Sequence, residues 1–136
     1  EHTLCASPSF INKHGYPEAP DDLDQLPIVC GTPKTWKLIN KKTRQKKVIT
    51  PTPVWRSGNT NAQVIATENG IGISNLLTLV AGQKLHDGKL VSILNNWQVE
   101  NTGLWLMWKA QRTLPMHIQM VKDSLTQDLQ EVLSTN

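Results

Sequence analysis

The chain has 136 residues, 38% hydrophobic and 18% charged, with a net charge of +3. That is enough for one modest domain with a real core, and the balance is ordinary for a folded soluble protein. No run of about 18 apolar residues occurs, which excludes a membrane-spanning helix. The charge excess is too mild for a dedicated nucleic-acid domain.

"TLCAS", Thr3 to Ser7, is a short apolar run ended by Pro8, and it predicts a strand. A helix is expected next, with Ser7 as its cap, Pro8 in its first turn and Gly15 at its left-handed stop. In "APDDLDQLP", Ala19 to Pro27, Pro20 with Asp21 and Asp22 marks a further helix start, because acids suit the positive end of the helix dipole. "IVC", Ile28 to Cys30, is a brief strand. Trp36 to Asn40 and Lys47 to Ser57 are expected as strands around a basic turn, with Pro51 and Pro53 demanding an edge. A helix over Asn61 to Asn69 stops at Gly70, followed by a strand over Ile71 to Ser74 and a weak helix over Leu76 to Leu85. A turn at Asp87-Gly88 leads to a strand over Lys89 to Leu94. "GLWLMWKA", Gly103 to Ala110, is strongly strand-like. Met116 to Leu133 is the clearest helix, with Ile118, Val121, Leu125, Leu129 and Val132 on one stripe. Alternating strands and helices predict an α/β fold with a mixed sheet.

Three signals carry little function. "KKTRQKK", Lys41 to Lys47, lacks interleaved aromatics and fits a solvated turn better than a nucleic-acid patch. Trp97, Trp105 and Trp108 suit packing. His2, His14, His86 and His117 lack metal-ligand spacing, and Cys5 and Cys30 fit two buried reduced thiols. With no nucleophile elbow, phosphate loop or dinucleotide fingerprint, no enzyme, cofactor or metal is expected.

"LCASPSFINKHGYPEAPDDL" resembles a segment of LysR-type transcriptional regulators, through Ala6, Ser7, Pro8, Phe10, Gly15, Pro17, Pro20, Asp22 and Leu23. In family order follow Trp36 and Leu38, "ENGIGI" from Glu68 to Ile73, "KLHDGKLVSILNNW" from Lys84 to Trp97, and "RTLPMHIQMVKDSL" with Arg112, Leu114, Pro115 and Asp123. Leu77, where the family often has Pro, and His117, where it usually has a basic residue, depart from the pattern. The resemblance implies an incomplete type 2 periplasmic-binding-protein-like effector domain. Residues 1–98 would be effector-binding subdomain II with its entering crossover strand. Residues 99–136 would be the returning strand and C-terminal helix of subdomain I. The family's N-terminal winged helix-turn-helix is not represented, so DNA would be a partner only through that domain. The implied protein is cytoplasmic and homo-oligomeric, with no membrane partner. A solute-binding protein of a transport system is the alternative, and a hydrolase a third.

The expected effector site centres on "GNTNAQ". Asn59, Thr60 and Asn61 cap a helix, and a helix start also attracts anions and polar groups. Where the resemblance puts that start in the inter-subdomain cleft, the three residues would hold a carboxylate or another polar organic effector. Ser7 and Ser74 are candidates for the same cleft, and Arg56 for pairing with an acidic ligand.

Overall fold

The structure, a computed structural model, describes residues 1–31, 35–100 and 115–134. The chain divides into two compact units, Glu1–Gly103 and Leu104–Asn136. The expected strand over Gly103 to Ala110, with Trp105, Trp108, Arg112 and Leu114, lies outside the described residues.

The first unit is built on a five-stranded sheet in the order β5-β2-β6-β1-β7. These strands are β1 (His2–Ala6), β2 (Ile28–Cys30), β5 (Pro53–Arg56), β6 (Ile73–Leu77) and β7 (Val91–Ser92). β2 is parallel to both β5 and β6, while β1 runs antiparallel to β6 and β7. One strand is therefore reversed among four that share a direction. A smaller antiparallel sheet, β4-β3-β8, joins β3 (Trp36–Asn40), β4 (Lys46–Ile49) and β8 (Trp97–Val99). Pro53 stands in an edge strand of the larger sheet, as its missing N–H requires.

Alternation along β1 separates two cores. Leu4 and Ala6 join Phe10, Leu23, Ile28, Trp36, Leu38 and Val99 in a cluster that binds the two sheets together. Cys5, on the opposite face, joins Val64, Leu76, Ala81 and Leu90. That second face is covered by α2 (Thr60–Glu68) and α3 (Thr78–His86). An ion pair of 2.9 Å between Lys84 and Glu68 ties these helices together.

The caps follow the sequence. Ser7 accepts from the Phe10 N–H at 3.2 Å to start α1 (Pro8–His14), and Gly15 ends it at φ +86°. Asn59 caps α2, and Gly70 closes it at φ +73°. In the basic turn the Asn40 side chain accepts from the Lys42 and Thr43 N–H groups, Arg44 takes φ +61°, and Lys41 to Lys46 are exposed.

Several elements differ from expectation. Pro20–Gln25 forms a 3-10 helix, where a helix start with acids was expected without that tightening; the Asp22 carboxylate accepts from the N–H groups of Glu18 and Ala19. The run Lys47 to Ser57 is two strands in two sheets, broken at the prolines, with β4 beside β3 and β5 beside β2. β6 begins at Ile73 and extends to Leu77, because β1 pairs with it as far as His2. Lys89 to Leu94 keeps only two strand residues. β8 carries Trp97, which the sequence marked for packing only. Its pairing with β3 holds Val99 in the first unit, so the expected boundary between residues 98 and 99 falls inside this strand. Leu77 passes into α3 at φ −60°, an angle native to proline, so the departure at this position leaves the turn intact.

The second unit's described element is α4 (Met116–Ser134), matching the strongest periodic signal in the sequence. Met116, Met120 and Val121 on it are 79%, 63% and 58% exposed.

Gly72 sets the spacing between the turn before β2 and the start of β6. A Cβ there would stand 2.6 Å from the Pro27 carbonyl oxygen and 2.9 Å from its carbon, both backbone atoms that cannot swing away. Gly72→Ala is expected to cost about 1–3 kcal/mol, the usual range for overpacking. Gly58→Ala, with nothing within 4 Å, should cost far less. Urea midpoints of the two variants check this, with an equal loss at both positions contradicting it.

Candidate effector site

In parallel α/β sheets, ligands bind beyond the carboxyl ends of the strands, where helix starts and loops converge. Here that edge is formed by Gly31 after β2, Ser57 and Gly58 after β5, and Asn75 to Leu77 of β6. Because β1 is reversed, its first residues lie at the same edge: His2 pairs with Leu77, and Thr3 with Leu76. α2 begins there as well, directly after β5. A cavity of about 160 Å³ lies among these ends. Its walls are His2 and Asn75 on the strands, Gly31 and Trp36, Thr60 and Gln63 on α2, with Leu76 and Leu77 closing it.

The start of α2 has donors to spare. The Asn59 side chain accepts from the Ala62 N–H at 3.2 Å, and its carbonyl accepts from the Gln63 N–H at 3.1 Å. The N–H groups of Thr60 and Asn61 have no hydrogen-bond partner among the described residues, and neither has either side chain. Asn59, Thr60 and Asn61 are all exposed. Capping therefore accounts for Asn59 and leaves Thr60 and Asn61 open.

The two serines are placed differently. Ser7 follows the far end of β1 and sits beside Gly70, at the C-terminal end of α2. The nine-residue helix separates it from Asn59 by about 13 Å. Its hydroxyl caps α1 and contacts Ser9 Oγ at 2.9 Å. Ser74 is fully buried and faces α2. Its Oγ lies 2.6 Å from Thr67 Oγ1, which itself donates to the Gln63 carbonyl, and 3.3 Å from the Val29 carbonyl. Neither serine is brought together with Asn59, Thr60 and Asn61: Ser7 is at the opposite edge, and the Ser74 hydroxyl is enclosed by its own partners. Arg56 ends β5 in an exposed position, its charge acts on Cys30, and it is not among the residues lining the cavity.

The sequence did not single out His2, Gly31, Trp36, Gln63 or Asn75 as site residues. Gln63 and Thr67, four residues apart, signal a buried polar stripe on α2, while Ile65 between them is exposed. Burial pushes the His2 pKa down, partly offset by a hydrogen bond with Asn75. Among the described residues, no Asp, Glu, Lys or Arg side chain lines the cavity. A second hollow of about 250 Å³ lies on the other side of His2, with Lys41 on its rim. Two of its hydroxyls are already engaged: Thr3 with Ser92 at 3.1 Å, and Ser92 with Asn95 at 2.7 Å. A third, of about 350 Å³, lies beside His14, Tyr16 and Asp21, away from this edge. No group of three or more His, Cys, Asp or Glu side chains able to hold a metal occurs among the described residues, and none of the described helices is long and apolar enough to cross a membrane.

A sheet with one reversed strand, two helices on one face and a polar hollow at its carboxyl edge is the architecture of a lobe of the type 2 periplasmic-binding-like fold. The sequence matches the LysR substrate binding domain over residues 1–130, and the chain belongs to that family. Among curated relatives, it is 22% identical over 131 residues to a probable HTH-type transcriptional regulator, LtrA, of Klebsiella pneumoniae, covering 93% of this chain and 42% of that protein. It is 26% identical over 136 residues to the uncharacterized HTH-type transcriptional regulator YhjC of Escherichia coli, covering 95% and 44%. The chain therefore spans less than half the length of these relatives. Among solved structures, the regulatory domain of AphB from Vibrio vulnificus matches with a TM-score of 0.69 and 29% identity, covering 74% of this chain and 50% of that one. CrgA, a LysR-type transcriptional regulator from Neisseria meningitidis, shares the fold at a TM-score of 0.62 and 20% identity, covering 74% and 34%.

Cys5 and Cys30 are free and buried, as the sequence suggested. Burial pushes the Cys5 thiol up to about 12, and burial also raises Cys30 against the opposing pull of Arg56. Both thiols should resist iodoacetamide at pH 8 in the folded chain and react once it is unfolded in urea. A thiol whose folded pKa is raised adds stability below its unfolded value and loses it above, so stability should fall as pH climbs from about 9 towards 12. Rapid native alkylation of Cys5 would contradict this placement.

Proposed function

We propose that this chain is the effector-sensing portion of a LysR-type transcriptional regulator that binds a small organic molecule at the carboxyl edge of its larger sheet. The observation that carries the reading is the start of α2, where the N–H groups and side chains of Thr60 and Asn61 stand unpartnered beside a polar cavity. The site is assigned to Asn59, Thr60 and Asn61, with Ser7 and Ser74 as the residues that fix the sheet and helices behind it. The chain performs no catalysis in this reading. The names of the curated relatives, HTH-type transcriptional regulators, support DNA as the partner of the complete protein through a helix-turn-helix domain, which in this reading is N-terminal and works in the cytoplasm. A solute-binding protein of a transport system is less well supported, since those relatives are regulators. The effector acts by binding one arrangement of the two lobes better than another, and it shifts their equilibrium only by that difference.

Asn61→Ala and Thr60→Ala should weaken effector binding in calorimetry, by about 0.5–1.5 kcal/mol for a neutral hydrogen bond and more for a charged one. Asn59→Ala is expected to act mainly on stability, costing about 1 kcal/mol through loss of the cap. Unchanged affinity in both Thr60→Ala and Asn61→Ala would remove the start of α2 from the site.

The complete protein is proposed to be a homo-oligomer, and this chain to self-associate through residues 103–133. The exposed Met116, Met120, Val121 and Leu125 support that reading, because apolar patches of this kind drive association. Light scattering at low concentration should give a mass above one chain. A well-behaved monomer would sink the idea.

A further inference from the structure

Gln63 is 8% exposed and lines the cavity at the start of α2, yet only one end of its carboxamide is used. Nε2 donates to the Ser57 carbonyl at 2.8 Å. A carbonyl can only accept, so this contact fixes which end of the amide is nitrogen and leaves Oε1 as the outward atom. Oε1 accepts no hydrogen bond among the described residues. The carboxamide also lies against the Cα of Gly31, where a Cβ would stand 2.6 Å from Nε2 and 3.2 Å from Oε1. Gly31 is thus the seat that lets Gln63 hold this pose.

The cavity then offers acceptors and donors in one small space. Gln63 Oε1 accepts. The Thr60 N–H donates from the wall, and the Asn61 N–H follows one residue along α2. Among the described residues, no Asp, Glu, Lys or Arg side chain lines the walls. The geometry points to an uncharged effector carrying a hydrogen-bond donor next to an acceptor, of which a primary carboxamide is the simplest example, with Gln63 as the specificity-determining residue and Gly31 as its positioning residue. A carboxylate would set its lone pairs against Oε1, with no Lys or Arg among the described wall residues to offset the repulsion. A cavity of about 160 Å³ suits a ligand of fragment size. This assignment rests on the carboxyl edge being the effector site.

Three probes of matched shape separate the chemistries: benzamide (neutral donor and acceptor), methyl benzoate (neutral acceptor) and benzoate (anion). Each is titrated into the isotope-labelled 136-residue chain, with the Thr60 and Asn61 amide resonances and the Gln63 side-chain resonances followed by NMR. Benzamide should bind about tenfold more tightly than either of the others, the scale of one hydrogen bond gained. Gln63→Ala should remove about that factor for benzamide and leave methyl benzoate unchanged. Gly31→Ala, which displaces the carboxamide without deleting it, should do the same. If benzoate binds most tightly, or if benzamide keeps its affinity in both variants while Thr60 and Asn61 still shift, the neutral-amide assignment is overturned and the edge site survives. If none of the three probes moves Thr60 or Asn61, both the assignment and the edge site fail. The ranking of the probes on the unaltered chain decides the matter even where a variant does not fold.

Discussion

The reversal of β1 governs the placement of every candidate group. A strand of five residues enters a sheet whose other members run the opposite way, so its first residues meet the carboxyl ends of β2, β5 and β6 and its last residues meet their amino ends. His2 is thereby placed at the edge where α2 begins. Ser7 is carried to the other edge, beside Gly70. Alternation does the rest: Leu4 and Ala6 face one core, Cys5 the other, and a one-residue slip would exchange them and strip both.

Polar burial at the α2–sheet contact follows from the same arrangement. Ser74 and Thr67 meet between strand and helix: the Thr67 hydroxyl donates to the Gln63 carbonyl and accepts from the Ser74 hydroxyl at 2.6 Å, with the Val29 carbonyl 3.3 Å from Ser74 Oγ. Such a network costs little when every member is bonded and much when one is removed. It holds α2 at one height on the sheet. That height sets where the start of the helix, with its two open N–H groups, stands relative to Gly31 and Asn75. In the proposed site, the buried serine and threonine would act by position, and Thr60, Asn61 and Gln63 by contact.

Much of this was legible in the sequence wherever a local rule decides the outcome. Ser7, Gly15, Asn59 and Gly70 mark helix limits because caps and left-handed stops are local chemistry. Pro51 and Pro53 announced an edge. The family resemblance supplied the fold class, which periodicity alone left at a mixed α/β sheet. What escaped reading was decided by pairing across the chain. β8 forms because β3 is there to receive it. β6 starts late because Gly72 must first pass Pro27. The cavity walls drew no signal because Gly31 and Gln63 are 32 positions apart, and His2 and Asn75 farther still. α2 misleads more directly: its buried stripe contains Gln63 and Thr67 while Ile65 faces out, the reverse of the usual amphipathic rule.

The central claim is that ligand recognition sits at the carboxyl edge of the five-stranded sheet. Crystals of this chain soaked with a library of small polar fragments test it most directly, because they show where unbiased chemistry settles. The account predicts fragment density clustered between Gly31, Thr60 and Asn75, in contact with the start of α2. Density clustered at the opposite edge, beside Ser7, Ser9 and Gly70, with the carboxyl edge empty, would contradict it.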